Sequence, residues 1–171
     1  VDPRSGAVPR LFELPAAIGH ADGLEAVADG SRLWLADSRT LWEFDLPRSL
    51  AAGTAVERAR RTLAPRPEIG ANLLAYDGRL LWFGRYAKQG APVIVGVAPA
   101  ALFDGNAEPF DPAGAPRFAL PLTAQGAVFD RRGDLWISTS GGSTGRLHRL
   151  DARTGRVLEE LPAMAGIEDL A

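Results

Sequence analysis

Gly78-Arg79-Leu80-Leu81-Trp82-Phe83 is a glycine turn followed by a short apolar strand built around a tryptophan. The same pattern stands earlier as Gly30-Ser31-Arg32-Leu33-Trp34-Leu35 and later as Gly133-Asp134-Leu135-Trp136-Ile137. The tryptophans are spaced by 48 and 54 residues. A single hairpin repeats over a much shorter interval, whereas a four-stranded blade repeats over about 40 to 50 residues. Leu80 to Phe83 is apolar at every position, where a half-exposed strand would alternate. Unbroken apolarity fits a strand pressed between two neighbouring sheets.

The other strands keep the period. Leu41-Trp42-Glu43-Phe44-Asp45, Ile94-Val95-Gly96-Val97-Ala98 and Leu147-His148-Arg149-Leu150-Asp151 take the third place in each repeat. Trp42, Phe44 and Leu46 share one face there, and Glu43 and Asp45 the wetter one. His148 falls in register with Trp42 and Val95, which predicts a packed residue between blades. Fourth strands end in Leu-Pro, at Leu14-Pro15, Leu120-Pro121 and Leu161-Pro162, with Leu63-Ala64-Pro65 a weaker copy. Proline suits an outer edge strand, where a missing N–H costs little. First strands follow near Leu24, Asn72, Gln125 and Glu168.

The repeat therefore predicts an all-β chain, a β-propeller with four antiparallel strands per blade and a period of about 50 residues. Residues 1–171 read as one propeller segment. Its blades lie at about 22–66, 70–122 and 124–163, and 11–15 and 166–171 are strands of neighbouring blades. No amphipathic helix is legible. Residues 103–116 read as a long loop, Ser138 to Gly145 as a flexible hairpin, and Glu57-Arg58-Ala59-Arg60-Arg61 as a solvated edge. Three full blades plus flanking strands make an arc of a larger ring, which further blades of the same protein or a second copy would close.

Composition narrows the function. A net charge of −2 carries no broad basic or acidic field, which disfavours nucleic acid and anionic membrane as partners. No apolar run approaches the roughly 20 residues of a membrane-spanning helix. Residues 1–10 hold Asp2, Arg4 and Arg10 and do not read as a signal peptide. With no cysteine there is neither a disulfide framework nor a cysteine metal site or nucleophile. Nineteen glycines and 13 prolines fit many tight turns.

The glycine turns leading into Leu33-Trp34, Leu81-Trp82 and Leu135-Trp136 resemble the broad group of NHL-repeat, gluconolactonase-like and strictosidine-synthase-like propellers. Leu120-Pro121 with Gln125-Gly126, followed by Ser138-Thr139-Ser140, is also similar to uncharacterised exported bacterial propellers. The resemblance spans nearly the whole chain, and its motifs specify blades. It implies a periplasmic or extracellular protein, with a cytoplasmic one still open. For the gluconolactonase-like members it further implies a divalent cation at the channel mouth, held by carboxylate and amide side chains.

Aligning the first strands at Glu25, Asn72, Gln125 and Glu168 gives an oxygen-bearing side chain in one register each time. These four form the candidate ligand-binding ring, with His20 and Arg85 in the loops beside it. Glu25, Asn72 and Glu168 are the candidate ligands for Ca²⁺ or another hard cation. Such oxygens suit a polyhydroxylated molecule equally, and polar residues also simply face a water-filled channel. No Ser-His-Asp set is legible from the two histidines, His20 and His148. The leading expectation is an extracytoplasmic, non-catalytic propeller that binds a small molecule or a protein at the channel mouth. The alternatives are a metal-dependent lactonase or esterase and a scaffold for protein–protein contact.

Overall fold

The computed structural model describes residues 5–6, 8, 10–105, 109–168 and 170. Three four-stranded antiparallel sheets form side by side, the blades of a propeller. The first holds β1 (Gly23–Ala26), β2 (Arg32–Asp37), β3 (Thr40–Asp45) and β4 (Glu57–Thr62). The second holds β5 (Leu73–Tyr76), β6 (Leu81–Gly84), β7 (Val93–Val97) and β8 (Arg117–Ala119). The third holds β9 (Ala124–Phe129), β10 (Leu135–Gly141), β11 (Thr144–Leu150) and β12 (Val157–Ala163). Strands follow chain order within each sheet. β1 packs on β5 and β5 on β9, so the first strands line the axial side.

Strand alternation decides where the cores lie. Side chains of β6 point in turn to opposite faces. Leu81 and Phe83 therefore join Trp34, Leu74 and Val95 between blades 1 and 2. Trp82 joins Leu73, Ile94, Leu135 and Ile137 between blades 2 and 3. That is why the second strand is apolar on both faces.

The three tryptophans are structurally equivalent: each pairs across to the first strand of its blade, at Glu25, Ala75 and Val128. Trp34 is 2% exposed and Trp82 5%. Trp136, at the same place in its repeat, is only half-buried. Its face of blade 3 meets no further sheet among the described residues, and the Arg149 guanidinium lies over the ring at 6.0 Å instead.

The indole N–H of each of these three donates to a carboxylate, whereas that of Trp42 is buried without a partner among the described residues. Trp82 uses Asp77 Oδ2 at 2.8 Å and Trp136 uses Asp130 Oδ2 at 3.1 Å. These aspartates immediately follow β5 and β9. Blade 1 has Val27 at that position, and Trp34 turns to Glu43 Oε2 on β3, at 2.9 Å. Glu43 is thus 5% exposed rather than on a wet face, because a buried indole N–H needs an acceptor. Arg32 and Arg58 neutralise it at 3.4 and 3.3 Å. The corresponding third-strand positions are Gly96 and Arg149. At Gly96 a Cβ would stand 2.7 Å from the Trp82 ring, so only glycine leaves that indole its place.

Two short helices join the strands, where none was expected. α1 (Leu46–Ala52) follows β3, and α2 (Pro99–Phe103) follows β7. Asp45 caps α1 by accepting from Arg48 N at 3.0 Å, and Gly53 closes it at φ 72°. Helices of seven and five residues are too short to show a helical apolar period. α2 also removes Arg61 from the solvated edge expected of it. The buried Arg61 guanidinium donates to the carbonyls of Leu102, Phe103 and Gly105, satisfying groups a helix end leaves without partners. The stretch read as a long loop thus begins in α2 and ends by pairing beside β4, where Phe110 N donates to Thr62 O at 2.8 Å. Residue 106 and the two after it lie outside the described residues.

Among the described residues the flanking segments form no strand of their own and lie against blades 1 and 3. Glu13 makes a parallel bridge to Thr54, and Phe12 and Ile18 cover Leu33, Leu35, Trp42 and Phe44 on the outer face of blade 1. At the other end, Gly166 N donates to Ser140 Oγ at 2.8 Å and Glu168 O accepts from Ser138 Oγ, which lays this segment on blade 3. Residues 169 and 171 lie outside the described residues. The Ser138 to Gly145 segment is mostly strand: pairing runs to Gly141 and Thr144, leaving only a two-residue turn with Gly142 at φ 69°. No helix among the described residues is long and apolar enough to cross a membrane.

Candidate functional site

The axial ends of the three blades enclose a cleft of about 280 Å³ lined by His20, Asp22, Asn72, Tyr86, Gln125 and Glu168. Four of the expected residues meet there: Asn72, Gln125, Glu168 and His20. Glu25 does not. It pairs with Trp34, which makes it equivalent to Ala75 and Val128. Counting three residues back from Glu25, Ala75 and Val128 leads to Asp22, Asn72 and Gln125, the last of them the unpaired residue of a β-bulge in β9. The expected alignment was three residues out in blade 1. Ala21-Asp22, Ala71-Asn72 and Ala124-Gln125 share an alanine before the polar residue, and that small signal marks the true register.

Gly23 makes this ring possible. A Cβ at that position would stand 2.8 Å from Leu74 N and 3.0 Å from the Leu73 backbone. Glycine lets β1 close onto β5 and brings Asp22 to Asn72.

The Asp22 carboxylate organises one wall. Oδ1 lies 2.6 Å from His20 Nδ1. Oδ2 accepts from Asn72 Nδ2 at 3.0 Å and from Ser38 N at 2.9 Å. Asn72 Oδ1 in turn accepts from Tyr86 N at 3.2 Å. The chain Asp22–Asn72–Tyr86 thus ties blade 1 to blade 2 and to the loop after β6. On the other wall, the Gln125 amide and the Tyr86 hydroxyl make no hydrogen bond among the described residues. Glu168 uses its main-chain carbonyl, accepting from Ser138, and leaves its carboxylate exposed.

Glu25 stands out of the ring, and Asp22, in its place, already serves three donors. Among the described residues no three His, Asp or Glu side chains converge as metal ligands. The arrangement offers two carboxylates, two amides, a phenol and an imidazole around a small cleft, a set suited to hydroxyl and amine groups.

Arg85 lies in an adjoining cleft of about 560 Å³ between blades 1 and 2, which shares Asn72 and Tyr86 with the axial one. His148 is 8% exposed, its Nε2 3.1 Å from Thr139 Oγ1. It is buried as its register predicts, with Thr139 and Glu160 of its own blade as partners, away from the cleft. Burial holds its imidazole below the usual value, with Glu160, 3.5 Å from Nδ1, opposing only in part.

No family model matches the chain, and no curated protein matches it. It is similar to solved structures of propeller type. Saccharomyces cerevisiae Sqt1 aligns at 14% identity and a TM-score of 0.52, over 81% of this chain and 34% of that one. Kuenenia stuttgartiensis hydrazine synthase aligns at 13% and 0.53, over 85% and 38%. A Bacteroides caccae protein of unknown function aligns at 11% and 0.51, over 84% and 46%. The chain spans between about a third and a half of the length of these structures. At such identities the likeness carries the fold alone, and that fold is a β-propeller.

Proposed function

We propose that the chain is a non-catalytic binding module that takes a small, hydroxyl-bearing ligand in the axial cleft. The observation carrying this reading is the convergence of Asp22, Asn72 and Gln125, from the axial ends of three successive blades, on one cleft. Repeated first strands aim these side chains at one point, and a ligand there would touch all three blades. Gln125 and Tyr86 hold polar groups not spent on the fold. The resemblance to NHL-repeat and gluconolactonase-like propellers supports a site at the channel mouth. Calorimetric titration with a panel of monosaccharides and polyols tests it. Saturable binding that Gln125→Ala weakens at least tenfold is the expected result. Binding indifferent to Gln125→Ala, or none across the panel, rejects the reading.

The His20–Asp22 pair favours one second reading, a hydrolase of esters or lactones. Donation of Nδ1–H to Asp22 would leave Nε2 as the basic nitrogen. Ester hydrolysis that His20→Gln abolishes would select this reading over simple binding.

A further inference from the structure

The cleft between blades 1 and 2 has a chemistry opposite to that of its axial neighbour. Arg39, Arg66 and Arg85 line it and no acidic side chain does. The three guanidiniums are not equivalent. Arg66 is neutralised by a two-point contact with Asp111, at 2.7 and 2.6 Å, with Glu68 also nearby. Arg39 donates to the Leu63 carbonyl at 2.6 Å, and Arg85 to the Pro67 carbonyl. A carbonyl fixes a guanidinium without cancelling its charge. Neither Arg39 nor Arg85 has a carboxylate partner among the described residues. Each keeps most of its five N–H donors for something else.

The backbone around them is held in place. Ser38 sits in the left-handed region at φ 55°, unusual for a side chain other than glycine, asparagine or aspartate. Asp22 holds its N–H, and Ala71 N donates to its carbonyl at 2.8 Å. Strain of this kind persists only where the surroundings enforce it, and it clusters at binding sites. Across the cleft Gly70 lies under Arg85. A Cβ there would stand 3.1 Å from Arg85 Cβ, so glycine leaves the arginine its position.

We propose that this cleft is an anion-binding site, in which Arg39 and Arg85 grip a phosphate or carboxylate group. Two fixed, uncompensated guanidiniums match the planar two-point recognition that such anions favour. Ser38 and Tyr86 line the same space. This site goes beyond the axial-cleft reading and does not depend on it.

The test is calorimetric titration of the full chain in low-chloride buffer, with inorganic phosphate in one arm and malonate in the other. Saturable binding in either arm is expected, weakened at least tenfold by Arg39→Gln with Arg85→Gln. Phosphate alone binding assigns the site to phosphorylated ligands, and malonate alone to carboxylates. Gly70→Ala, which pushes on Arg85 without touching charge, should weaken binding several-fold if the double variant fails to fold. Gln125→Ala should leave anion affinity unchanged, separating this site from the axial one. Absence of saturable binding in both arms overturns the proposal. So does a folded double variant, or a folded Gly70→Ala variant, that binds within twofold of the parent chain.

Discussion

Trp82 and Trp136 occupy one repeat position in two different surroundings, so truncating each to alanine reads the blade packing directly. Trp82 lies between two sheets, with ring centroids of Phe118 and Phe129 at 5.3 and 6.3 Å. A core aromatic of this kind buries about 150–250 Å². At about 25 cal/mol per Å², that is worth roughly 4–6 kcal/mol. Core truncations of aromatics typically cost about 3–5 kcal/mol, and Trp82→Ala should fall there, raised by the loss of Asp77's indole donor. Trp136 has a sheet on one side only, and its outer face keeps the Arg149 contact and the Asp130 hydrogen bond. Trp136→Ala should therefore cost about 1–2 kcal/mol. Urea unfolding with an unchanged m-value measures both. Equal costs for the two, or a Trp82 cost below about 1 kcal/mol, would refute the sandwich geometry.

Other outcomes follow from single contacts. Glu43→Ala leaves the Trp34 indole N–H buried without its acceptor, and should lower stability by about 2–3 kcal/mol in the same urea assay; a neutral result would mean the indole finds another partner. Gly23→Ala drives a Cβ into the β5 backbone, and should cost about 1–3 kcal/mol in thermal or urea unfolding. A stabilising effect would show that β1 and β5 are not so closely packed. His148 is held below its usual pKa by burial, so the unfolded chain binds its proton first as pH falls. Stability should decline from about pH 6.5 downward and level off below the depressed folded value. Comparing urea midpoints at pH 7.5 and 5.5, His148→Gln should flatten this dependence; identical slopes in parent and variant would contradict it.

The second and third strands were legible because their signals are strong and local. Trp34, Trp82 and Trp136, with the run Leu80 to Phe83, state a period and a two-sided burial that only stacked sheets satisfy. α1 and α2 were invisible for want of length. The wet-face assignment of Glu43 failed because alternation says nothing of an indole N–H that must be satisfied across the sheet. The same holds for Arg61, whose partners are carbonyls more than 40 residues away. At the site, Asn72, Gln125, Glu168 and His20 came from the sequence and Asp22 did not. β1 is short and begins with a glycine that looks like a turn, so the acidic residue within the strand, Glu25, drew the alignment. Register is fixed by strand pairing and by the close approach that Gly23 allows, neither of which residue types alone display.

The most direct measurement of the central claim is an NMR titration that follows the side-chain amide signals of Asn72 and Gln125, with the Tyr86 ring, as a hydroxyl-bearing ligand is added. The account predicts that all three shift together along one saturable curve, because one molecule would touch equivalent positions of blades 2 and 3 and the loop beside them. Saturable binding that leaves all three unmoved, with shifts confined to the outer strands β4, β8 and β12, would contradict it.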